Sequence, residues 1–384
     1  MVLIRSTPDA GQKLELLGGQ ARFDIACACG DTNRQNRYGR FVYPAVLPSG
    51  GRVFMLKVLL DNSCHGDCAY CAQRAGRPTR RDRFEPEELA RLFDGLVRAG
   101  RVQALFLSSG LGADSRRTMD RMLATAELVR KKYRFRGFLH LKILPGAEPA
   151  QVEQAARLAQ RISINMEAPT ADRLARLSAR KDFHGQIVRA LNHIRRAVSD
   201  PATLARGHTT QFVVGAAGEL DRELVEASWK LYRRFGLSRA YYSAFRPVQG
   251  TPLEGSCPES PLREHRLYQA DFMIRKYGFR IDEIPFDEGG MLPRSTDPKT
   301  AWARLHPEIF PLEVNDAEPE MLLRVPGIGP ETCKKLLVAR RHRRLKGPEQ
   351  LERLGVARRA IPYLLLDGRR PRVQLELFGG EKVS

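Results

Sequence analysis

Six short apolar runs, separated by segments of helical pattern, constrain this 384-residue chain more than any other feature. They are RVFMLKVLL (52–60), VQALFLS (102–108), GFLHLKIL (137–144), RISINME (161–167), HTTQFVVG (208–215) and RAYYSAF (239–245). Apolar or β-branched and bounded by turn signals, they read as buried strands. The stretch 85–100 between the first two has Pro86 near its start and Gly100 at its stop, which predicts a helix, and 120–133 is another. Repeated strand–helix units imply parallel strands joined by right-handed crossovers. Six units predict an α/β fold, an open (β/α)6 version of the eight-fold barrel, with chemistry at the C-terminal ends of the strands.

Directly after the first run comes LLDNSCHGDCAYCAQRAG (59–76), which puts Cys64, Cys68 and Cys71 in the spacing C-x3-C-x2-C. The cluster therefore falls where such a fold places its active site. Structural zinc needs a closed shell of four ligands, usually two separated pairs. Three cysteines in one tight loop suit an iron–sulfur cluster with one iron left open, since thiolates are its usual ligands. His65, Cys27, Cys29 or Cys257 supplies a fourth ligand if the site is zinc instead. No secretory signal is visible and no apolar run approaches the roughly 18 residues of a membrane span. The expected location is therefore the cytoplasm, with no membrane partner. In that reducing compartment clustered cysteines suggest metal or redox chemistry more than disulfides.

With Tyr70 before the third cysteine, the motif resembles the C-x3-C-x-aromatic-C signature of the radical S-adenosylmethionine (radical SAM) superfamily. The resemblance implies a 4Fe–4S cluster on Cys64, Cys68 and Cys71 whose open iron binds the amino and carboxylate groups of SAM. One-electron transfer then cleaves SAM to methionine and a 5′-deoxyadenosyl radical. It also implies cofactor contacts at the strand ends. Ser109 and Gly110 of SSG stand where relatives often carry Gly-Gly-Glu. Asn165 and Glu167 of INMEAP share a face at period two, and Gly215 of VVGAAGE allows close approach of adenine, with Glu219 further out. Glu167 pairing with a neighbouring arginine is the structural alternative. RPVQGTPLE (246–254) resembles a P-x-x-G-T-P-L segment of several members, or is simply a rigid turn. No side chain is singled out as a catalytic acid, base or nucleophile. Arg74, Arg77, Arg80, Arg81 and Arg83 read as a solvated charge run or as a phosphate-contacting rim.

Lys and Arg number 64 against 44 Asp and Glu, and residues 321–373 hold 14 of the former and 4 of the latter. About half of the positive excess is thus local, which favours a binding surface for a polyanion over a general arginine bias. There PEMLLRVPGIGPETCKKLLVARR (319–341) has the layout helix, PGIG turn, helix, with Gly327 and Gly329 flanking Ile328. Glycine allows the tight turn, and free N–H groups at a helix start suit phosphate. The segment resembles the helix–hairpin–helix motif, which grips nucleic-acid backbones. Lys334 and Lys335, then Arg340, Arg341, Arg343, Arg344 and Lys346, reinforce it electrostatically. Residues 348–368 resemble a degenerate second copy with Gly355 and Val356 at the turn.

Barrel and C-terminal module together resemble the bacterial radical SAM proteins linked to DNA modification or repair, whose associated partner is a uracil-DNA-glycosylase-like protein. In the tail, QLELF (Gln374, Leu375, Leu377 and Phe378 its anchors) resembles the peptide by which replication and repair proteins bind the sliding clamp. The expected organisation is an N-terminal extension (1–50), a partial barrel (51–281), a linker or covering loop (282–316), an all-α helix–hairpin–helix module (317–368) and a flexible tail (369–384). The expected function is a radical SAM enzyme acting on nucleic acid, DNA in the first instance. An RNA- or tRNA-modifying enzyme and a non-catalytic DNA-binding adaptor for a glycosylase are the alternatives.

Overall fold

All six expected strands form, and a seventh precedes them. In this computed structural model, which describes residues 8–23, 41–46 and 52–371, the chain divides into two compact units, Met1–Glu264 and His265–Ser384. The first unit holds one sheet whose strands run in sequence order: β1 (Val42–Val46), β2 (Arg52–Leu59), β3 (Ala104–Ser108), β4 (Phe138–Lys142), β5 (Arg161–Ser163), β6 (His208–Val214) and β7 (Arg239–Ala244). From β2 onward every neighbour is parallel, and only β1 is antiparallel. The crossovers carry α2 (Pro86–Arg98), α3 (Ser115–Glu127), α4 (Pro149–Leu158), α5 (Ala171–Leu177), α6 (Arg189–Ser199) and α7 (Asp221–Phe235). This is a partial (β/α) barrel. β1 escaped the sequence because Pro44 breaks its pattern; an edge strand tolerates a proline that a central strand would not.

Cross-strand register explains the core. Leu56, Leu105 and Leu139 are aligned partners on one face, as are Leu141 and Ile162, and all five are fully buried. Each such side chain contributes about 1.5–3 kcal/mol by leaving water. The other face carries Lys57, Phe106 and His140 in one row. There the Lys57 ammonium lies 4.4 Å from the Tyr43 ring, and His140 Nε2 is 2.9 Å from Ser163 Oγ. Burial, then the charges of Arg161, Lys142 and Lys57, push the His140 pKa well below its ordinary value.

The expected N-terminal extension supplies structural parts of the first unit. Asp9 caps α1 (Ala10–Gln20) by accepting from the Gln12 N–H at 2.8 Å, and α1 buries Leu14 and Leu17. Cys27 and Cys29 lie outside the described residues.

In the second unit the expected linker, 282–316, is packed structure. It carries α9 (Pro298–Leu305), started by Asp297 as N-cap and Pro298 in the first turn. The Trp302 ring, 3% exposed, meets Phe279 at 5.1 Å and the Arg324 guanidinium at 4.9 Å. The Pro and Asp content that suggested a loop is the capping chemistry of short helices. The unit boundary also falls earlier than residue 281, inside α8 (Pro261–Lys276). Beyond it come α10 (Pro319–Arg324), α11 (Pro330–His342) and α12 (Pro348–Arg353). They close on buried Leu322, Ile328, Leu336, Leu351, Val356 and Leu364. Residues 358–363 form a 3₁₀ helix containing Pro362, not the expected α-helix. A short parallel pair, β8 (Leu312–Glu313) with β9 (Leu364–Leu365), then closes the unit.

Two glycine turns organise this unit, Gly327 at φ +88° and Gly355 at φ +87°. They abut: a Cβ on Gly327 would come within 3.1 Å of Ala357 Cβ, and Thr332 Oγ1 donates to the Gly355 carbonyl at 3.2 Å. Lys299 Nζ, buried, donates to the Ile328 carbonyl at 2.6 Å. Burial drives the Lys299 pKa down to about 7, against the pull of Asp297. Between that value and the unfolded-chain value near 10.4, the unfolded chain holds a proton that the folded one lacks, so stability rises with pH. The unfolding midpoint of the second unit, read from Trp302 fluorescence in a Trp229→Phe background, should therefore rise from pH 7 to pH 9, and Lys299→Met should flatten that slope.

Candidate functional site

The cysteine loop leaves β2 at Leu59 and continues the sheet pairing past the strand ends. Cys64 and Gly112 form an isolated parallel bridge, with the His65 N–H donating to the Gly112 carbonyl at 3.0 Å and the Gly112 N–H to the Ser63 carbonyl at 2.9 Å. Ser109 Oγ and the Gly110 N–H both donate to the Asp61 carbonyl, at 3.1 and 2.6 Å. A Cβ at Gly110 would sit 2.3 Å from the Ser63 carbonyl oxygen. Ser109 and Gly110, expected at the cofactor, are thus tied to the loop that carries the cysteines. Asn62, fully buried, donates to Gln20 of α1 and to the Arg80 carbonyl, both at 2.8 Å.

The arginine run divides. Arg81 donates to the carbonyls of Asn62, Gln73, Arg74 and Arg77. Arg77 donates to those of Gln249 at 2.7 Å and Ala72 at 3.1 Å, and Arg74 to that of Asp67 at 3.3 Å. These three are clamps on the loop's backbone, while Arg80 and Arg83 are exposed at its edge. Part of the 246–254 segment joins the same structure, since the Leu253 N–H donates to the Ala69 carbonyl at 3.3 Å. A second clamp comes from residues 178–181. Asp67, between the first two cysteines, accepts from Ser178 Oγ and from the N–H groups of Ala179 at 3.1 Å and Arg180 at 3.4 Å. Burial alone would raise the Asp67 pKa, but these bonds outweigh it and hold the carboxyl below its usual range.

The sulfurs of Cys64 and Cys68 lie 3.2 and 4.0 Å from where a Gly66 Cβ would be, so both face the same turn. Cys71 Sγ accepts from the Gln73 N–H at 3.4 Å. Burial, then the neighbouring Cys68 and also Cys64, push the Cys71 thiol up to about 12. Three thiols gathered in one loop cannot all ionise unless a cation or cluster neutralises the charge. Among the described residues no three His, Cys, Asp or Glu side chains converge closely enough to grip one ion. Ligands of a cluster bind different irons and need no such convergence. His65 Nδ1 is 2.9 Å from the Gly112 carbonyl.

Asn165, Glu167 and Tyr70 meet beside the cysteines. Glu167 sits at φ +65°, one of three non-glycine residues with positive φ among those described. The Ala168 N–H donates to the Met166 carbonyl at 2.8 Å, closing a strained three-residue turn on Glu167. Its carboxylate lies beside Asn165, whose Nδ2 is 3.5 Å away. The Tyr70 hydroxyl faces the same carboxylate, and burial, then Glu167, Cys68 and Cys71, raise its pKa well above the ordinary phenol. The partner that sequence reasoning missed is Lys181. Its Nζ is 2.9 Å from Glu167 Oε1, with both side chains about nine-tenths buried. The alternative foreseen for Glu167 was an arginine; the pair is real but its cation is a lysine on another element.

Gly215, at φ +89°, packs on Glu259: a Cβ there would lie 2.5 Å from Glu259 Oε2. Its N–H donates to Glu219, and Arg263, also buried, bonds Glu259 at 2.6 Å and Asp221 at 2.7 Å. Glu219 and Gly215 thus belong to one buried charge network at the end of β6.

In the second unit Gly327 forms its turn and Gly329 precedes α11 with no side-chain cap. Ile328 is 1% exposed, so it anchors the turn from inside. Lys334, Lys335, Arg341, Arg343 and Lys346 are exposed. Arg340 is bonded to the carbonyls of Val314 and Ala317, and Arg344 is paired with Asp316 and Asp367, so both also serve the fold. Gln374, Leu375, Leu377 and Phe378 lie outside the described residues.

Residues 59–228, from the end of β2 through the cysteine loop and into α7, match the family model of the radical SAM superfamily. Those residues form a radical SAM superfamily domain. This superfamily uses a 4Fe–4S cluster and SAM. Among solved structures, methylornithine synthase (PylB) is 15% identical, with a TM-score of 0.46, covering 56% of this chain and 60% of its own. The hydrogenase maturase HydG from Carboxydothermus hydrogenoformans is 15% identical with a TM-score of 0.46, covering 56% of this chain and 50% of its own. A radical SAM methyltransferase from Sphaerobacter thermophilus is 14% identical with a TM-score of 0.43, over 60% of this chain and 73% of its own. The chain thus spans less than two thirds of the first two. No curated protein matches it. Among the described residues no helix is long and apolar enough to cross a membrane.

The donor set suits the superfamily's cluster: three thiols on one loop, clamped by backbone bonds, with a buried cation beside them. Gly110→Ala should keep the far-ultraviolet circular dichroism of the parent but lose most of its iron after anaerobic reconstitution. Parent-like iron content would show that the close Gly110–Ser63 approach does not shape the loop.

Proposed function

We propose that this chain is a radical SAM enzyme acting on DNA. In this reading Cys64, Cys68 and Cys71 hold the 4Fe–4S cluster. Tyr70, Asn165 and Glu167 bind SAM beside it, and Ser109, Gly110 and Gly215 complete the cradle through their backbone at the ends of β3 and β6. The cluster and SAM, when bound, supply reductive cleavage of SAM to methionine and a 5′-deoxyadenosyl radical. The chain's own part is to fix the cysteine loop, orient SAM through the Glu167 carboxylate and exclude water.

The observation that carries the DNA half is the pair of abutting glycine turns, Gly327 and Gly355, each following a short helix. Such turns beside an uncapped helix start, with Lys334 and Lys335 exposed on α11, make a helix–hairpin–helix-like surface for phosphates. A surface of this kind grips the backbone without reading sequence, and a reacting base within a duplex must leave the stack first. A uracil-DNA-glycosylase-like protein and, through Gln374, Leu375, Leu377 and Phe378, the sliding clamp are the partners this reading implies.

The test is a titration of duplex DNA, with tRNA as competitor, against the full chain at several salt concentrations. Lys334→Gln/Lys335→Gln should weaken DNA binding and lower the slope of log K against log salt by about 1.8, at about 0.9 per lost phosphate contact, with unchanged iron content. An unchanged slope removes these lysines from the interface, and tRNA outcompeting duplex DNA favours an RNA substrate.

A further inference from the structure

The buried Lys181–Glu167 pair has a position that SAM binding alone does not account for. Lys181 does not arise from the strand end that carries Glu167. It arrives on the 178–181 segment, which is bolted to the cysteine loop: Ser178, Ala179 and Arg180 all donate to Asp67, and Arg180 also donates to the His65 carbonyl. The Lys181 N–H in turn donates to Ser178 Oγ at 3.2 Å. Four bonds tie this segment to the stretch between Cys64 and Cys68, so the lysine is fixed relative to the sulfurs. Its ammonium bonds Glu167 at 2.9 Å, with side-chain exposures of 11% and 8%. Glu167 is itself held at φ +65°. The result is one positive and one negative charge, both out of water and both fixed beside the cysteines. Cys68, Glu167 and Cys71 outweigh the cost of burying Lys181 and hold its pKa above the ordinary lysine value.

We propose that Lys181 and Glu167 are a charge pair that sets the reduction potential of the cluster, Lys181 raising it and Glu167 lowering it. This rests on the assignment of the cluster to Cys64, Cys68 and Cys71. Reduction adds a negative charge to the cluster, and an ammonium fixed nearby in a low-dielectric site stabilises that charge, whereas a carboxylate opposes it. Lys181 is thus a positioning and tuning residue. Engagement of the Glu167 carboxylate by a bound cofactor would weaken its hold on the ammonium and so couple occupancy of the site to ease of reduction.

The experiment compares the parent, Lys181→Met, Lys181→Arg and Glu167→Gln after anaerobic reconstitution. Iron and sulfide are counted first, and the midpoint potential is then titrated by electron paramagnetic resonance. Lys181→Met should shift the potential negative, by about tenfold in the reduction equilibrium, or about 59 mV for one electron. Lys181→Arg should restore it, and Glu167→Gln should shift it the opposite way, to less negative values. A merely structural pair would lower cluster content without moving the potentials in opposite directions. Should Lys181→Met lose its cluster, the sign of the Glu167→Gln shift decides: a positive shift supports the proposal, and no shift or a negative one overturns it. Equal potentials throughout overturn it while leaving the cluster assignment intact. A parent chain that binds no iron overturns both.

Discussion

Everything at the candidate site depends on holding three thiols of one loop close together, where they cannot all ionise without a cation or cluster to neutralise them. Cys71, driven up to about 12 by burial and its neighbours, records how unfavourable that arrangement is for bare thiolates. The chain meets it with backbone bonds, not a second cysteine pair. The 178–181 segment, the SSG turn, part of the 246–254 segment and three arginines all fasten the loop from different sides. Arginine suits this work because its planar fork reaches several carbonyls at once, as Arg81 does with four. The shape of the loop is thus fixed by protein contacts on several sides.

The same logic places the strain. Glu167 adopts a backbone conformation that costs a non-glycine residue roughly 1–3 kcal/mol. Three hydrogen-bonding partners offset that cost: the β6 ladder, which the Glu167 N–H joins by donating to the Gln211 carbonyl at 3.0 Å, together with Asn165 and Lys181. The strained turn sets the carboxylate beside Asn165 and Lys181 while its backbone still bridges to Phe212 of β6.

The parts legible in the sequence were those set by local periodicity and spacing. The six parallel strands followed from apolar runs, the cysteine loop from C-x3-C-x2-C, and both glycine turns of the second unit from residues that tolerate positive φ. What stayed hidden depends on tertiary contact. Pro44 concealed an edge strand, and α1 looked like an extension until Gln20 was seen holding Asn62. Arg74, Arg77 and Arg81 cannot be told from Arg80 and Arg83 in the sequence, because only the folded loop decides which guanidinium meets a carbonyl. Lys181 carried no signal at all: one lysine in a charged stretch, made significant by a turn on β5 and an aspartate more than a hundred positions away. The segment 282–316 misled for the opposite reason, since capping residues of short helices share the composition of loops.

The central claim is that Cys64, Cys68 and Cys71 hold a 4Fe–4S cluster with an iron open to SAM. The most direct test is electron paramagnetic resonance of the reduced, anaerobically reconstituted full chain, with and without SAM. The account predicts a 4Fe–4S signal whose g-values change when SAM is added. Bound zinc with no such signal, or a cluster spectrum indifferent to SAM, would contradict it.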